Sequence, residues 1–248
     1  MLRSFRVDNF KSLVNCVFEP AGLNLLVGSN NAGKTNLCQA LRFLSLTARM
    51  PLDEAAAACT AEPWNLLNVY ILKDTLTLGA SCELPLGNDT LTFTYELTIT
   101  SEKRRASPPG RGAFNVSSET LRVSGGRFTD TTLLENKDGQ VRLLHERRFL
   151  RAWNPQAEPQ YVETTAPTDA TMLFRLYDLE TNQRSNLFKR YLGSWRYYNL
   201  DPNRLRTNQA RPMDFALSDS GANLASVLYS LHNAHPRIEK GYCRPYSC

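Results

Sequence analysis

The chain opens on alternation. Met1-Leu2-Arg3-Ser4-Phe5-Arg6-Val7-Asp8-Asn9-Phe10 has the two-residue period of a half-buried strand. Val14 to Phe18 predicts a second strand, and Gly22-Leu23-Asn24 a turn. The apolar run Leu23-Asn24-Leu25-Leu26-Val27 then has the length of a third. At this point the period changes. In the stretch Asn36 to Leu44 the apolar residues Leu37, Ala40, Leu41 and Leu44 follow the i, i+3, i+4, i+7 spacing of a helix with one buried face.

Strand patterns return over residues 66–100, as Leu67 to Leu72, Thr75 to Leu84 and Thr90 to Thr100. The last sets Leu91, Phe93, Tyr95, Leu97 and Ile99 against mostly Thr and Glu, so one face is buried and the other wet. Shorter strands are expected at Leu121 to Val123, Arg127 to Leu134 and Gln140 to Leu144, with a basic turn at Lys103 to Gly112. Val123-Ser124-Gly125-Gly126-Arg127 lies between strand-like flanks, and Ser-Gly-Gly suits a tight hairpin. Residues 66–150 therefore predict an antiparallel subdomain. Residues 150–170, rich in Pro, Ala and Thr, predict a loop. Helical spacing resumes over 172–192 through Leu173, Leu176 and Leu179. A last helix, capped by Asp219 or Ser220, would present the stripe Leu224, Val227, Leu228 and Leu231.

Between the third strand and the first helix, Gly28-Ser29-Asn30-Asn31-Ala32-Gly33-Lys34-Thr35 fits G-x-x-x-x-G-K-[ST] at every fixed position. Strand, glycine-rich turn and helix are the context this phosphate-binding pattern needs. Gly28 and Gly33 admit backbone angles and close approaches that a side chain blocks. The amides from Asn31 to Thr35 would cradle phosphate oxygens, with the helix dipole adding positive potential. Lys34 is expected on the β- and γ-phosphates, and the Thr35 hydroxyl on Mg²⁺. The expected ligand is a Mg²⁺-bound nucleoside triphosphate, and the resemblance described below makes it ATP.

Composition narrows the setting. A chain of 248 residues with 42% apolar and 21% charged residues is an ordinary globular protein. No run approaches the ~18 apolar residues of a membrane span, and the start lacks the core of a signal peptide. Cysteines at 16, 38, 59, 82, 243 and 248 form no metal spacing, so they read as reduced thiols in the cytoplasm. The net charge of +5 concentrates at 103–111, at Arg142, Arg147, Arg148 and Arg151, and at Lys189, Arg190, Arg196, Arg204, Arg206 and Arg211. Such patches fit nucleic-acid binding as well as an ordinary basic surface.

Asn9-Phe10-Lys11-Ser12, together with Gly28, Asn30, Gly33, Lys34, Thr35 and Asn36, resembles the opening of ABC-type ATPases of the RecF, SMC and OLD-like branch. There "N-F-K-S" ends the first strand and "G-x-N-x-x-G-K-[ST]-N" follows. The pair Trp195 to Pro202 and Leu217 to Leu228 resembles a second element of stand-alone bacterial ATPases, "Y-x-x-D-P" before "D-G-x-N-L-A-x-V-L", with Ser220-Gly221-Ala222-Asn223 close to that pattern but not identical. The resemblance implies an α/β P-loop core carrying the antiparallel subdomain. Its parts would be a core half at 1–65, an arm at 66–150 and a return to the core at 151–248. It also implies that Phe10, Lys11 and Ser12 line the base and ribose. Two such heads would close over two nucleotides as a homodimer, driving an effector protein or acting on DNA in repair or phage defence.

Hydrolysis needs more than this loop. A Walker B strand ends in an Asp for Mg²⁺ beside a Glu that polarises water. Leu173 to Asp178 comes nearest, but Arg175 interrupts it, and Lys73 spoils Leu66 to Asp74. His145, His232 and His235 stand in the wrong contexts for a switch histidine, and Ser124-Gly125-Gly126 is not followed by the strand that an ABC signature requires. The catalytic acid is therefore unassigned, and the chain reads as the N-terminal part of an ATPase. A regulatory module that binds ATP without turnover, and an inactive fragment, are the other readings.

Overall fold

The alternating residues of the long strands all turn one face to the core of a single sheet. A computed structural model describes residues 1–60, 63–71, 73–101, 114–151, 159–177, 181–205 and 215–234, in two units, Met1–Trp195 and Arg196–Cys248. The basic turn at 103–112, much of the 150–170 loop, and Leu72, Asp178, Leu179, Arg206, Arg211, His235, Cys243 and Cys248 lie outside the described residues.

In the first unit β1 (Leu2–Asp8) and β2 (Cys16–Phe18) precede α1 (Lys34–Thr47), α2 (Leu52–Cys59) and a 3-10 turn at Pro63–Leu66. Then come β3 (Thr75–Leu86), β4 (Asp89–Ser101), β5 (Phe114–Gly125), β6 (Phe128–Lys137) and β7 (Gln140–Leu144). The unit ends with α3 (Glu146–Arg151), β8 (Tyr161–Thr165), α4 (Met172–Arg175) and α5 (Gln183–Gly193). The strands form one eight-stranded sheet in the order β2-β1-β3-β4-β5-β6-β7-β8, and every neighbouring pair is antiparallel.

This corrects the expected α/β P-loop core with a separate antiparallel subdomain, since the described strands make one antiparallel sheet. Parallel neighbours require a long crossover between each pair, whereas β3 to β7 follow one another mostly through tight turns. The turns at Gly87, at Gly125-Gly126 and at Asp138-Gly139 carry the positive φ angles that such hairpins use. β1 joins the same meander, with Phe5 opposite Ala80 and Val7 opposite Leu78. The expected arm and the first strands are thus one sheet. Leu23 to Val27 is not a strand: Leu23, Leu25 and Val27 are 93%, 87% and 83% exposed. Leu67 makes a single bridge to Phe10, and the next residues turn.

Inward residues of β1, β3, β4 and β5, among them Phe5, Leu78, Phe93, Leu97 and Leu121, share one cluster with Phe43, Leu44, Leu52 and Phe188 of the helices. Phe188 sits against both Phe93 and Tyr95, at ring separations of 5.5 and 5.4 Å. Each such buried side chain contributes roughly 1.5–3 kcal/mol. The Ser45 hydroxyl donates to the Leu192 carbonyl at 2.8 Å and ties α1 to α5. Where the expected α1 stripe has Leu41, the structure buries Phe43 instead and leaves Leu41 half-buried.

Two carboxylates lie inside this core. Glu119 accepts the Tyr95 hydroxyl at 2.9 Å and the amides of Met172 and Leu173 at 2.6 and 2.9 Å, which caps α4. Glu146 accepts the amides of Arg184 and Ser185 at 2.7 and 3.0 Å at the start of α5.

The Ser-Gly-Gly turn is the expected hairpin, between β5 and β6. Gly125 has φ +110°, and a Cβ there would stand 2.6 Å from the Thr90 carbonyl oxygen. Gly125→Ala should therefore cost about 2 kcal/mol or more, read as a lower midpoint in chemical denaturation.

In the second unit Pro202–Leu205 forms α6 and Leu224–Ala234 forms α7. The Asn199 and Asp201 amides donate to the Asp219 and Ser220 carbonyls at 2.7 and 3.1 Å, joining the two stretches of the second resemblance. Val227 of the expected stripe is buried, while Leu228 and Leu231 are 56% and 42% exposed. Among the described residues no helix is long and apolar enough to cross a membrane.

Candidate phosphate-binding site

α1 starts at Lys34, directly after Gly33 in the left-handed conformation (φ 91°). A side chain at Gly33 would be strained, and its Cβ would stand 3.2 Å from the Ser12 hydroxyl oxygen. By contrast, a Cβ at Gly28 meets only the Ala32 Cβ at 3.5 Å, an ordinary contact. Gly33 is the position that needs glycine. The helix has no side-chain cap and no acid in its first turn. Its first amides and the positive end of its dipole are therefore left unneutralised by neighbouring side chains.

The loop from Gly28 through Ala32, with Asn30 at its tip, is exposed, and Asn31 has φ 65°. The Ala32 amide donates to the Ser29 carbonyl at 3.3 Å. Lys34 folds back over the loop, and its Nζ donates to the Gly28 and Ser29 carbonyls, both at 2.7 Å. Thr35 is exposed at the second position of the helix. The ammonium and the hydroxyl thus stand on consecutive residues at the start of α1, directly after the exposed loop.

The turn after β1 packs against the same helix. Asn9 and Lys11 both take positive φ, 65° and 49°. Asn9 is held by donating its amide group to the Lys73 and Thr75 carbonyls at 2.8 and 2.7 Å, and the Lys11 amide donates to Leu66 at 2.8 Å. Asn36 donates to the Ser12 hydroxyl at 2.7 Å. Lys11 Nζ donates to Gln39 Oε1, also at 2.7 Å. Burial holds the Lys11 ammonium below the ordinary lysine pKa, with the nearby Cys59 sulfur opposing the shift.

Ser12 and Lys11 thus stand against the first turns of α1, together with Asn36. Phe10 differs. It is fully buried with its ring 6.2 Å from Phe43, and so works in the core. Gln39 went unmarked in the sequence, where its only signal is the three-residue step from Asn36 along one helix face.

Several residues of the basic stretches have local partners. Arg142 lies 3.2 Å from Glu135, 3.7 Å from Glu163 and over the Tyr161 ring, and Lys189 donates to the Phe174 and Leu176 carbonyls. Among the described residues Cys16, Cys38, Cys59 and Cys82 form no disulfide, and no group of three or more His, Cys, Asp or Glu is placed to hold a metal.

No protein-family model matches the chain. Over 93 residues, 36% of its length, the chain is 36% identical to an ATP/GTP phosphatase of Helicobacter pylori (strain ATCC 700392 / 26695). The match spans 22% of that relative, about a fifth of its length.

Proposed function

We propose that residues 28–36 bind the triphosphate of ATP. One observation carries the reading: a complete glycine-rich phosphate motif whose last glycine is left-handed and whose lysine and threonine open an uncapped helix. The similarity to an ATP/GTP phosphatase supports a nucleoside triphosphate as the ligand class. The choice of ATP rests on the resemblance to RecF, SMC and OLD-like ATPases. Lys34 exchanges the carbonyls of Gly28 and Ser29 for phosphate oxygens, and the amides of residues 31–35 donate to the other phosphate oxygens, that of Ala32 leaving the Ser29 carbonyl. Lys11 and Ser12 border the nucleotide, and Phe10 supports them from the core.

Thr35 suits Mg²⁺, because an exposed hydroxyl is a hard oxygen donor and this ion takes one or two protein ligands beside phosphates and water. When bound, the ion neutralises charge on the β- and γ-oxygens. Thr35→Ala should remove the Mg²⁺ dependence of ATP binding while leaving metal-free affinity within about twofold, since it deletes only the ion's protein ligand. Titration calorimetry with and without EDTA reads this directly. A Thr35→Ala variant as Mg²⁺-dependent as the wild type would dismiss the assignment.

The reading extends to a homodimer closed over two nucleotides that works on an effector protein or on DNA. ATP-dependent dimerisation, followed by light scattering, tests its first step.

A further inference from the structure

A cavity opens at the end of the sheet away from the glycine-rich loop. β3 runs from Thr75, which holds the Asn9 turn beside α1, to Leu86 on the cavity wall. That length of strand is roughly 35 Å. The volume of about 280 Å³ falls under the roughly 300–1,000 Å³ of pockets for drug-sized molecules, so it suits a smaller ligand. Two adjacent hairpins and two helices build it. Leu86 and Leu91 come from the β3–β4 hairpin and Phe128 from the β5–β6 hairpin, and with Leu150 of α3 they make half of the lining apolar.

The charged half of the lining is Arg184, Arg127 and Asp89. The Arg184 side chain is only 14% exposed, yet its buried Nε has no hydrogen-bond partner among the described residues. Its Nη1 stands 3.6 Å from Glu146 Oε2, too long for a hydrogen bond. The Glu146 carboxylate is already taken by the Arg184 and Ser185 amides and the Ser185 hydroxyl. The guanidinium also lies 4.9 Å over the Phe128 ring. Arg127 and Asp89 are exposed, and among the described residues neither forms an ion pair. Asp89 leans over Gly126, where a Cβ would stand 2.8 Å from its Oδ2. A nearly buried arginine short of acceptors is costly unless an anion completes its set.

We propose that this cavity binds a free α-amino acid with an apolar side chain. The ligand carboxylate meets Arg184 and Arg127, its ammonium meets Asp89, and its side chain packs on the three leucines and the Phe128 ring. A simple carboxylic acid would set an anion against Asp89, and a simple amine would set a cation against two arginines. A zwitterion satisfies both signs. The site is separate from the 28–36 loop and does not depend on the nucleotide reading.

Titration calorimetry of the whole chain with L-leucine, L-methionine and L-phenylalanine tests it. At least one should bind saturably, with a Kd below about 1 mM. Its amide, which lacks the carboxylate, and its deaminated acid, which lacks the ammonium, should each bind at least about tenfold more weakly. Asp89→Asn should weaken the amino acid about tenfold and leave the deaminated acid unchanged. Arg127→Gln and Arg184→Met should weaken the amino acid and the deaminated acid but not the amide. A thermal melt checks that Arg184→Met folds, and Arg127→Gln carries the same test on an exposed side chain if it does not. Lys34→Ala should leave all of these affinities as they are. No saturable heat with any of the three amino acids up to about 10 mM would overturn the proposal. So would an amide or deaminated acid that binds as tightly as the amino acid, or charge variants that bind it as the wild type does.

Discussion

Lys34→Ala should raise the Kd for Mg²⁺-ATP by at least about a hundredfold, the largest functional loss expected of any single change in the loop. The lysine side chain is a point charge with three donors, and it already lies across the loop on the Gly28 and Ser29 carbonyls. Two charge-assisted bonds to phosphate at about 1.5–3 kcal/mol each amount to roughly 3–6 kcal/mol, which is two to four decades in Kd. The same truncation should barely move stability. The two carbonyls it leaves are exposed and take water, so the change belongs with surface substitutions worth within about 0.5 kcal/mol. Fluorescent-nucleotide titration beside a thermal melt separates the two effects. Equal affinity in wild type and Lys34→Ala would remove the loop from the functional account, and a collapsed melt would make the lysine a structural residue.

The loop was legible because every part of its signal is local. Glycine at 33, lysine and threonine after it and an apolar stripe beyond them are consecutive, and α1 begins where they place it. The long strands were equally plain, since Leu91 to Ile99 alternate without a break and all five inward residues are buried. The antiparallel meander over 66–150 was legible too, but the pairing of the first strands with it was not. A one-sided alternating strand reads the same whether its neighbour is parallel or antiparallel, and β1 finds β3 some seventy residues away. The run Leu23 to Val27 misled because apolar composition speaks for burial, which only a partner can provide, and none of the described strands pairs with it. Phe10 could not be assigned from sequence, since a core aromatic and a nucleotide wall share the same residue type. Glu119 and Glu146 were invisible for the opposite reason. Charged residues are read as solvated, and nothing nearby in sequence shows that Met172, Leu173, Arg184 and Ser185 bring their amides to them.

Glu119→Ala should be the most destabilising of these substitutions, by about 3 kcal/mol, because two buried donors and one partly buried donor lose their acceptor at once. The Tyr95 hydroxyl and the Met172 and Leu173 amides all end on this carboxylate, which is itself fully buried. Release of the carboxylate's own burial cost keeps the loss below the sum of three orphaned donors. At roughly 2–4 °C per kcal/mol for a chain of this size, the melting temperature should drop by about 6–12 °C. The same group imposes a pH dependence of unusual sign. Burial raises the Glu119 pKa above its ordinary 4.5, although the hydrogen bonds it accepts pull the other way. The folded state therefore keeps a proton that the unfolded chain has lost. Its contribution is fully present below pH 4.5 and is lost as the pH rises through the raised value. Asp8, Glu83 and Glu135 are held low by Lys73, Arg3 and Lys137, so they act in the opposite sense and lose their contribution on acidification. Their largely exposed pairs are worth little. Between pH 4.5 and neutrality the melting temperature of the wild type should accordingly decline, and Glu119→Gln, which cannot titrate, should flatten that decline. Parallel pH profiles for the two proteins would show that Glu119 is ionised in the folded state from the start, and that its three hydrogen bonds outweigh its burial.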